Sequence, residues 1–371
     1  MTSWLGRTGV AGVLAVAVGG GVACGQGAAQ PGKPSAVMEQ PAGPRPPDFR
    51  GRQNAALVYF RAWDSIDRAV FKDVNENYEN KAGARLTAKQ LDAMKRSQRF
   101  VDTVMHAAEL EDCDWGVDFS EGPNALLPHL ALLRGTCRFL GADVRRCVQE
   151  GDIAGATRRV IAVVRMSSQL RGDRCLISSL VAVAINGYAI SLTRNMMEEK
   201  SLTPQAGHEI LAAFEALPQD PFGYRTCLDM ERNMLTWTRT HFHGEHAGEE
   251  FAKAFAAIDD VDSPQMADVK KMNEAAMSAE LDRAAGYYDE LDKIWGKAGK
   301  EKEFGELERR LAAGDFGELA KVIAPAVSKA NQSGLKGLAQ LREFEKELGA
   351  YVRGEGVTGP GEGASKDGGG R

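Results

Sequence analysis

The sequence has almost none of the alternating β-branched pattern that a half-buried strand requires, and no convincing run of strands can be drawn along it. It also lacks a basic region of domain size. Lys and Arg number 46 against 51 Asp and Glu, a formal net charge of −5, so a nucleic-acid partner is not expected. Aromatic residues are only 7 % of the chain while alanine is abundant, a balance that suits closely packed helices. No CxxC spacing, phosphate loop, dinucleotide fingerprint or Ser/His/Asp constellation can be read, and Gly19 to Gly21 fall inside an N-terminal apolar run. No histidine follows His246.

What is present is a long uncharged stretch. Between Arg174 and Arg194 lies CLISSLVAVAINGYAISLT, Cys175 to Thr193. About 20 residues at 1.5 Å each would cross a bilayer core, so a membrane span is one reading. Ser178, Ser179, Asn186, Gly187, Tyr188 and Ser191 interrupt it, and the flanking charges are mixed in sign. These features favour a helix buried on all sides of a water-exposed protein.

The neighbouring segments supply its packing partners. Leu126, Leu130, Leu133, Cys137, Leu140, Val144 and Cys147 recur in steps of three and four, which places them on one helical face. Gly151-Asp152 breaks that helix, and Ile153, Ala156, Val160, Val163, Met166 and Leu170 make a second face. Gly172-Asp173 precedes the uncharged helix. Thr203-Pro204 has the form of an N-cap followed by proline at the first helical position. Short turns make neighbouring helices antiparallel, so residues 126–217 read as four consecutive antiparallel helices.

Before them, Asn54 opens a helix carrying Leu57, Phe60, Trp63, Ile66, Val70 and Phe71. Thr87 caps another, expected through Ala108, and residues 111–123 form a loop punctuated by Gly116, Gly122 and Pro123. Beyond Pro218 and Pro221, helices are expected over 222–241, 249–258, 266–295, 301–313, 318–329 and 335–352. Residues 144–164 and 307–327 share an Arg-containing helix, a Gly-Asp turn and a second helix. Gly-Asp is a common helix stop; the alternative is a degenerate tetratricopeptide-like hairpin, whose aromatic and proline landmarks and 34-residue period are missing.

The N-terminus reads differently. Arg7 is the only charge before Lys33, and Thr8 to Ala23 is apolar, as in a secretory leader. Gly21-Val22-Ala23-Cys24 resembles a bacterial lipobox, with Gly21 where leucine is preferred, so Cys24 is a candidate lipidation site. Ordinary cleavage between Ala23 and Ala29 is the other reading. The expected organisation is a leader over 1–29, a Pro-rich linker over 30–52 and a helical domain over 53–217. A second helical region over 218–353 and a Gly-rich disordered tail over 354–371 complete it. Contact with a membrane is expected only through the leader or a lipid on Cys24.

Export bears on the cysteines. Apart from Cys24 there are Cys113, Cys137, Cys147, Cys175 and Cys227, an odd set. Cys137 and Cys147 are about 15 Å apart along one helix and cannot bond. Cys137, Cys147 and Cys175 fall at core positions, which leaves Cys113 with Cys227 as the disulfide candidate.

The sharpest chemical motif is THFHGEH. Its residues His241, His243, Glu245 and His246 resemble the HxHxDH motif of the metallo-β-lactamase superfamily, with Glu245 in place of aspartate. Imidazoles and a carboxylate at this spacing suit zinc. That superfamily also needs downstream histidines and a strand before the motif, and both are missing, so the patch reads first as a solvated polar cluster at a helix end; zinc binding by these four residues is the alternative, and a metal-dependent hydrolase the remoter one. The acidic loop with Asp112, Asp114, Asp118 and Glu121 fails the EF-hand spacing at Gly116, Val117 and Pro123. His129 is expected to be a partly buried structural histidine.

Three segments together, NAALVYFRAW, CDWGVDFSEGPNALLPHL and GDRCLISSLVAVAI, resemble a family of exported, all-helical proteins of planctomycete-type bacteria, over residues 54–217. The resemblance implies an all-α fold and export. That family has no established activity, so no catalytic residue comes with it. The sequence therefore predicts an all-α protein, an antiparallel helical bundle or a short α-solenoid of helical hairpins. Its expected role is an exported or envelope-tethered interaction or scaffold module for a protein partner, without catalysis. A metal-binding protein and a structural envelope component are the alternatives.

Overall fold

The computed structural model describes residues 53–255 and 264–355. The leader, the whole linker, Cys24, most of the acidic break at 259–264 and nearly all of the expected tail lie outside the described residues. The fold is all-α, with no strand among the described residues. Fifteen α-helices are described. The first eight are α1 (Ala55–Ser65), α2 (Arg68–Asn77), α3 (Ala88–Arg96), α4 (Gln98–Glu109), α5 (Pro128–Glu150), α6 (Ile153–Ser168), α7 (Leu176–Glu198) and α8 (Pro204–Glu215). The rest are α9 (Cys227–His241), α10 (Ala247–Phe255), α11 (Pro264–Val269), α12 (Glu274–Asp292), α13 (Glu301–Ala313), α14 (Gly317–Ile323) and α15 (Pro325–Val352).

Local chemistry sets the boundaries. Asn54 caps α1 by accepting from the Ala56 N–H, and Thr87 with Gln90 forms a reciprocal capping box on α3. Thr203 caps α8 with Pro204 at the first position. Several expected helices are divided. Asp67 accepts from the Ala69 and Val70 N–H groups and starts α2, so the helix drawn through Phe71 stops at Ser65. The helix expected over 87–108 breaks at Ser97, and the one over 266–295 breaks before Asn273, whose side chain caps α12. Asp220 accepts from the Tyr224 and Arg225 N–H groups, holding a turn that delays α9 to Cys227. In contrast, α15 runs unbroken for 28 residues where two helices were expected.

The two Gly-Asp turns share one geometry. Gly151 and Gly314 are left-handed, and the following Asp N–H reaches back to Cys147 O and Arg310 O respectively. They differ afterwards: Asp152 caps α6, whereas Asp315 accepts from Arg310 and α14 begins only at Gly317.

Two apolar cores result. The first gathers α1 to α8, and the second gathers α9 to α14. α15 belongs to both: Val327 and Ala330 sit in the second core, while Leu341, Phe344, Leu348 and Val352 sit in the first. Among the described residues, α7 alone is long and apolar enough to cross a membrane, and 61 % of its most apolar window lies inside the protein. It packs against α5, α6, α9 and α15. On α5 the predicted stripe from Leu130 to Cys147 is buried, but Leu126 is 82 % exposed because the helix starts only at Pro128.

Charge inside the first core is concentrated on Asp143, which is fully buried. Its Oδ1 accepts from Arg146 Nε at 2.6 Å and from Gln98 Nε2 at 3.2 Å, and its Oδ2 accepts from Arg159 Nε. One carboxylate thus ties α4, α5 and α6 together. By contrast both side-chain polar atoms of Asn186, in the middle of α7, are buried and find no partner among the described residues.

Two stability measurements follow. Asp143→Asn leaves two guanidinium groups without their shared counter-charge, and urea unfolding is expected to show a loss of about 3–5 kcal/mol. Asn186→Leu removes an unpaired buried amide at similar volume and is expected to gain about 1–3 kcal/mol in the same assay.

Candidate functional site

The N-terminus of α7 brings together the residues most capable of chemistry. Pro128 sets the first position of α5, and His129 follows it into the interior at 2 % exposure. The imidazole stacks on Trp115, ring centroids 4.8 Å apart, and Trp115 in turn stacks with Tyr59 and Trp63. His129 Nε2 lies 2.8 Å from Asp173 Oδ2. Ser178 Oγ donates to the same oxygen at 2.6 Å, and the Cys175 thiol donates to Ser178 Oγ at 3.1 Å. Cys175 Sγ also accepts from the Ser178 N–H and so caps α7.

This is a histidine, aspartate, serine and cysteine cluster that the sequence did not reveal. The signal in the chain is slight, since His129 and Asp173 stand 44 residues apart. Its order is not that of a nucleophilic triad. The aspartate stands between histidine and serine, so the imidazole cannot take the serine proton as a general base. Burial pushes the Cys175 thiol up to about 11, which keeps it protonated and inert. The arrangement fastens the start of α5 to the start of α7 through a satisfied polar chain. His129 is more deeply buried than the expected partial exposure.

Across from this cluster, α9 presents Cys227, Leu228, Glu231, Leu235 and Thr238 toward α7 and α12. Glu231 is the single acidic residue in that stripe. Burial pushes its carboxyl up to about 7, partly offset by a hydrogen bond from the Leu176 N–H at the first turn of α7. Cys175 and Cys227 lie near it, and Tyr288 of α12 feels its charge.

The expected metal ligands do not converge. His241 Nδ1 is 2.8 Å from Trp237 O and its ring stacks on Trp237. His243 uses both ring nitrogens, Nε2 on Thr240 O at 3.0 Å and Nδ1 on Glu274 Oε1 at 3.3 Å. The Thr240 carbonyl and then Glu274 raise its pKa above the ordinary value. His246 lies 3.7 Å from Glu249, and Glu245 is exposed. The helix end at Phe242 and the left-handed Gly244 splay these side chains, so spacing in sequence does not become a ligand set. Among the described residues no three His, Cys, Asp or Glu groups gather as a metal site requires.

The disulfide expectation is also corrected. Cys113 and Cys227 are free thiols, the first packed against the first core and the second buried in the other, where its S–H donates to Tyr224 O. In the acidic loop, Asp114 accepts from the Gly116 N–H and Asp118 from the Ser120 N–H. These carboxylates hold turns.

Glu231 generates a pH prediction. Its carboxyl ordinarily titrates near 4.5 but near 7 when folded, so between those values the folded chain holds a proton that the unfolded chain has lost. Stability is therefore expected to fall as pH rises through that window and to level off above it, by on the order of 3 kcal/mol. Glu231→Gln should flatten this profile and raise the melting temperature at pH 8. Comparison with known proteins finds no matching family model, no matching curated protein and no matching solved structure.

Proposed function

We propose that this protein is an exported or envelope-tethered helical module that engages a protein partner. The observation that carries the reading is a set of large apolar side chains left in water: Leu57 at 67 %, Phe60 at 40 % and Leu126 at 82 % exposure. Leu57 and Phe60 are one turn apart on α1. Phe60 meets Trp63 and Trp115 edge-on, Trp115 stacks on His129, and Leu126 lies three residues before that histidine. Large apolar groups exposed near one aromatic cluster support an interaction surface. The apolar run Thr8 to Ala23, the Cys24 context and the prolines after it support export, as does the resemblance to exported helical proteins.

The reading is tested in the native cell. Intact mass should begin at Cys24 with added lipid, or between residues 24 and 30 without it; a chain still starting at Met1 would end the export reading. A photoreactive side chain at Leu57 or Leu126 should crosslink to one discrete protein, while the same group at the exposed Arg309 should not. Adducts only with copies of the chain itself would instead favour a structural envelope component.

A further inference from the structure

Beside the buried stripe of α5, Ala131, Arg134, Arg138, Gly141 and Arg145 recur in steps of three and four, with the partly buried Leu127 just before the helix. Helices on either side wall this face. Phe71 and Asn75 of α2 press on Gly135, and the Tyr188 hydroxyl of α7 presses on Gly141. One end is closed by the Tyr78 hydroxyl on Gly141 O at 3.0 Å and by Arg145 on Glu199 at 2.5 Å. The other end opens at Leu126.

Of the three arginines on this face, Arg145 meets Glu199, while Arg134 and Arg138 meet no carboxylate among the described residues. Arg145, Arg146, Arg159, Arg194, Arg232 and Arg310 are each at least partly buried, and each meets a carboxylate. Among the described residues Arg134 is the one arginine that is partly buried and meets none. Arg138, exposed one turn away, has no carboxylate partner among the described residues either. Like charges at this spacing repel, and burial together with Arg138 presses the Arg134 pKa down. Arg134, partly buried, and Arg138, exposed a turn away, lack a carboxylate partner among the described residues and are arranged for carboxylates brought from outside.

We propose that Arg134 and Arg138 recognise an acidic segment of the protein partner, whose carboxylates pair with both guanidinium groups while an adjoining apolar side chain rests on Leu126 and Leu127. The inference rests on the interaction reading above. A protein segment fits better than an anionic bilayer, because a flat surface reaches the exposed Arg138 more readily than the partly buried Arg134, whereas single side chains can reach both.

The test uses the full chain and a fluorescein-labelled peptide of repeated Glu-Glu-Leu-Leu units, read by anisotropy. The wild type and an Arg158→Gln/Arg165→Gln control on α6 are expected to bind alike, and Arg134→Gln/Arg138→Gln at least about tenfold more weakly. Melting should show the latter variant no less stable than the wild type, because it loses no internal partner. Equal binding by all three, or no binding by the wild type, overturns the site. Phosphatidylglycerol vesicles that bind in an Arg134- and Arg138-dependent way while the peptide does not would assign the site to lipid instead. If native-cell crosslinking captures a protein that Arg134→Gln/Arg138→Gln still holds, this site fails and the interaction reading stands. If the wild type captures none, the reading itself fails.

Discussion

The architecture depends on keeping α7 out of water. A 23-residue helix with no charge before Arg194 gains free energy only when most of its circumference is covered. One layer cannot do this. α5 and α6 cover one side, α15 another, and α9 crosses its start. Leu176 at that start packs in the second core, while Val181 to Met196 pack in the first. Two cores therefore meet along one helix, and α15 joins them a second time.

Polar groups inside this arrangement fall into two kinds. Asp143 and Asp173 are matched by neighbouring donors, and each fastens helices that apolar contact alone would let slide. Glu231 and Asn186 are poorly matched and lower the net stability. Glu231 sits where α9 meets α7, so the protonation of one carboxyl is coupled to the contact between the two cores. Outside these two kinds stands Arg134, a partly buried charge with no carboxylate partner among the described residues. The first kind explains the fold, and the last is what the proposed recognition of an acidic segment rests on.

Much of the fold was legible because its causes are local. The caps at Asn54, Thr87 and Thr203-Pro204, the stop at Gly151 and the stripe from Leu130 to Cys147 all depend on residues within a few positions of one another. The misread boundaries were also local. Asp67 and Asn273 were capping residues inside apparently continuous patterns, and apolar periodicity hid them.

The sequence by itself determined the helical class, the order of the helices, and the burial of the uncharged stretch, because 3.6-residue periodicity and the absence of charge act within a segment. Only the tertiary structure decided which side chains meet. It set His129 on Asp173, joined Arg159 to Asp143, separated Cys113 from Cys227, spread His241, His243 and His246 apart, and left Arg134 unpaired. Such pairings depend on the crossing angle and register of helices, which change a side chain's neighbours without changing its place in the chain.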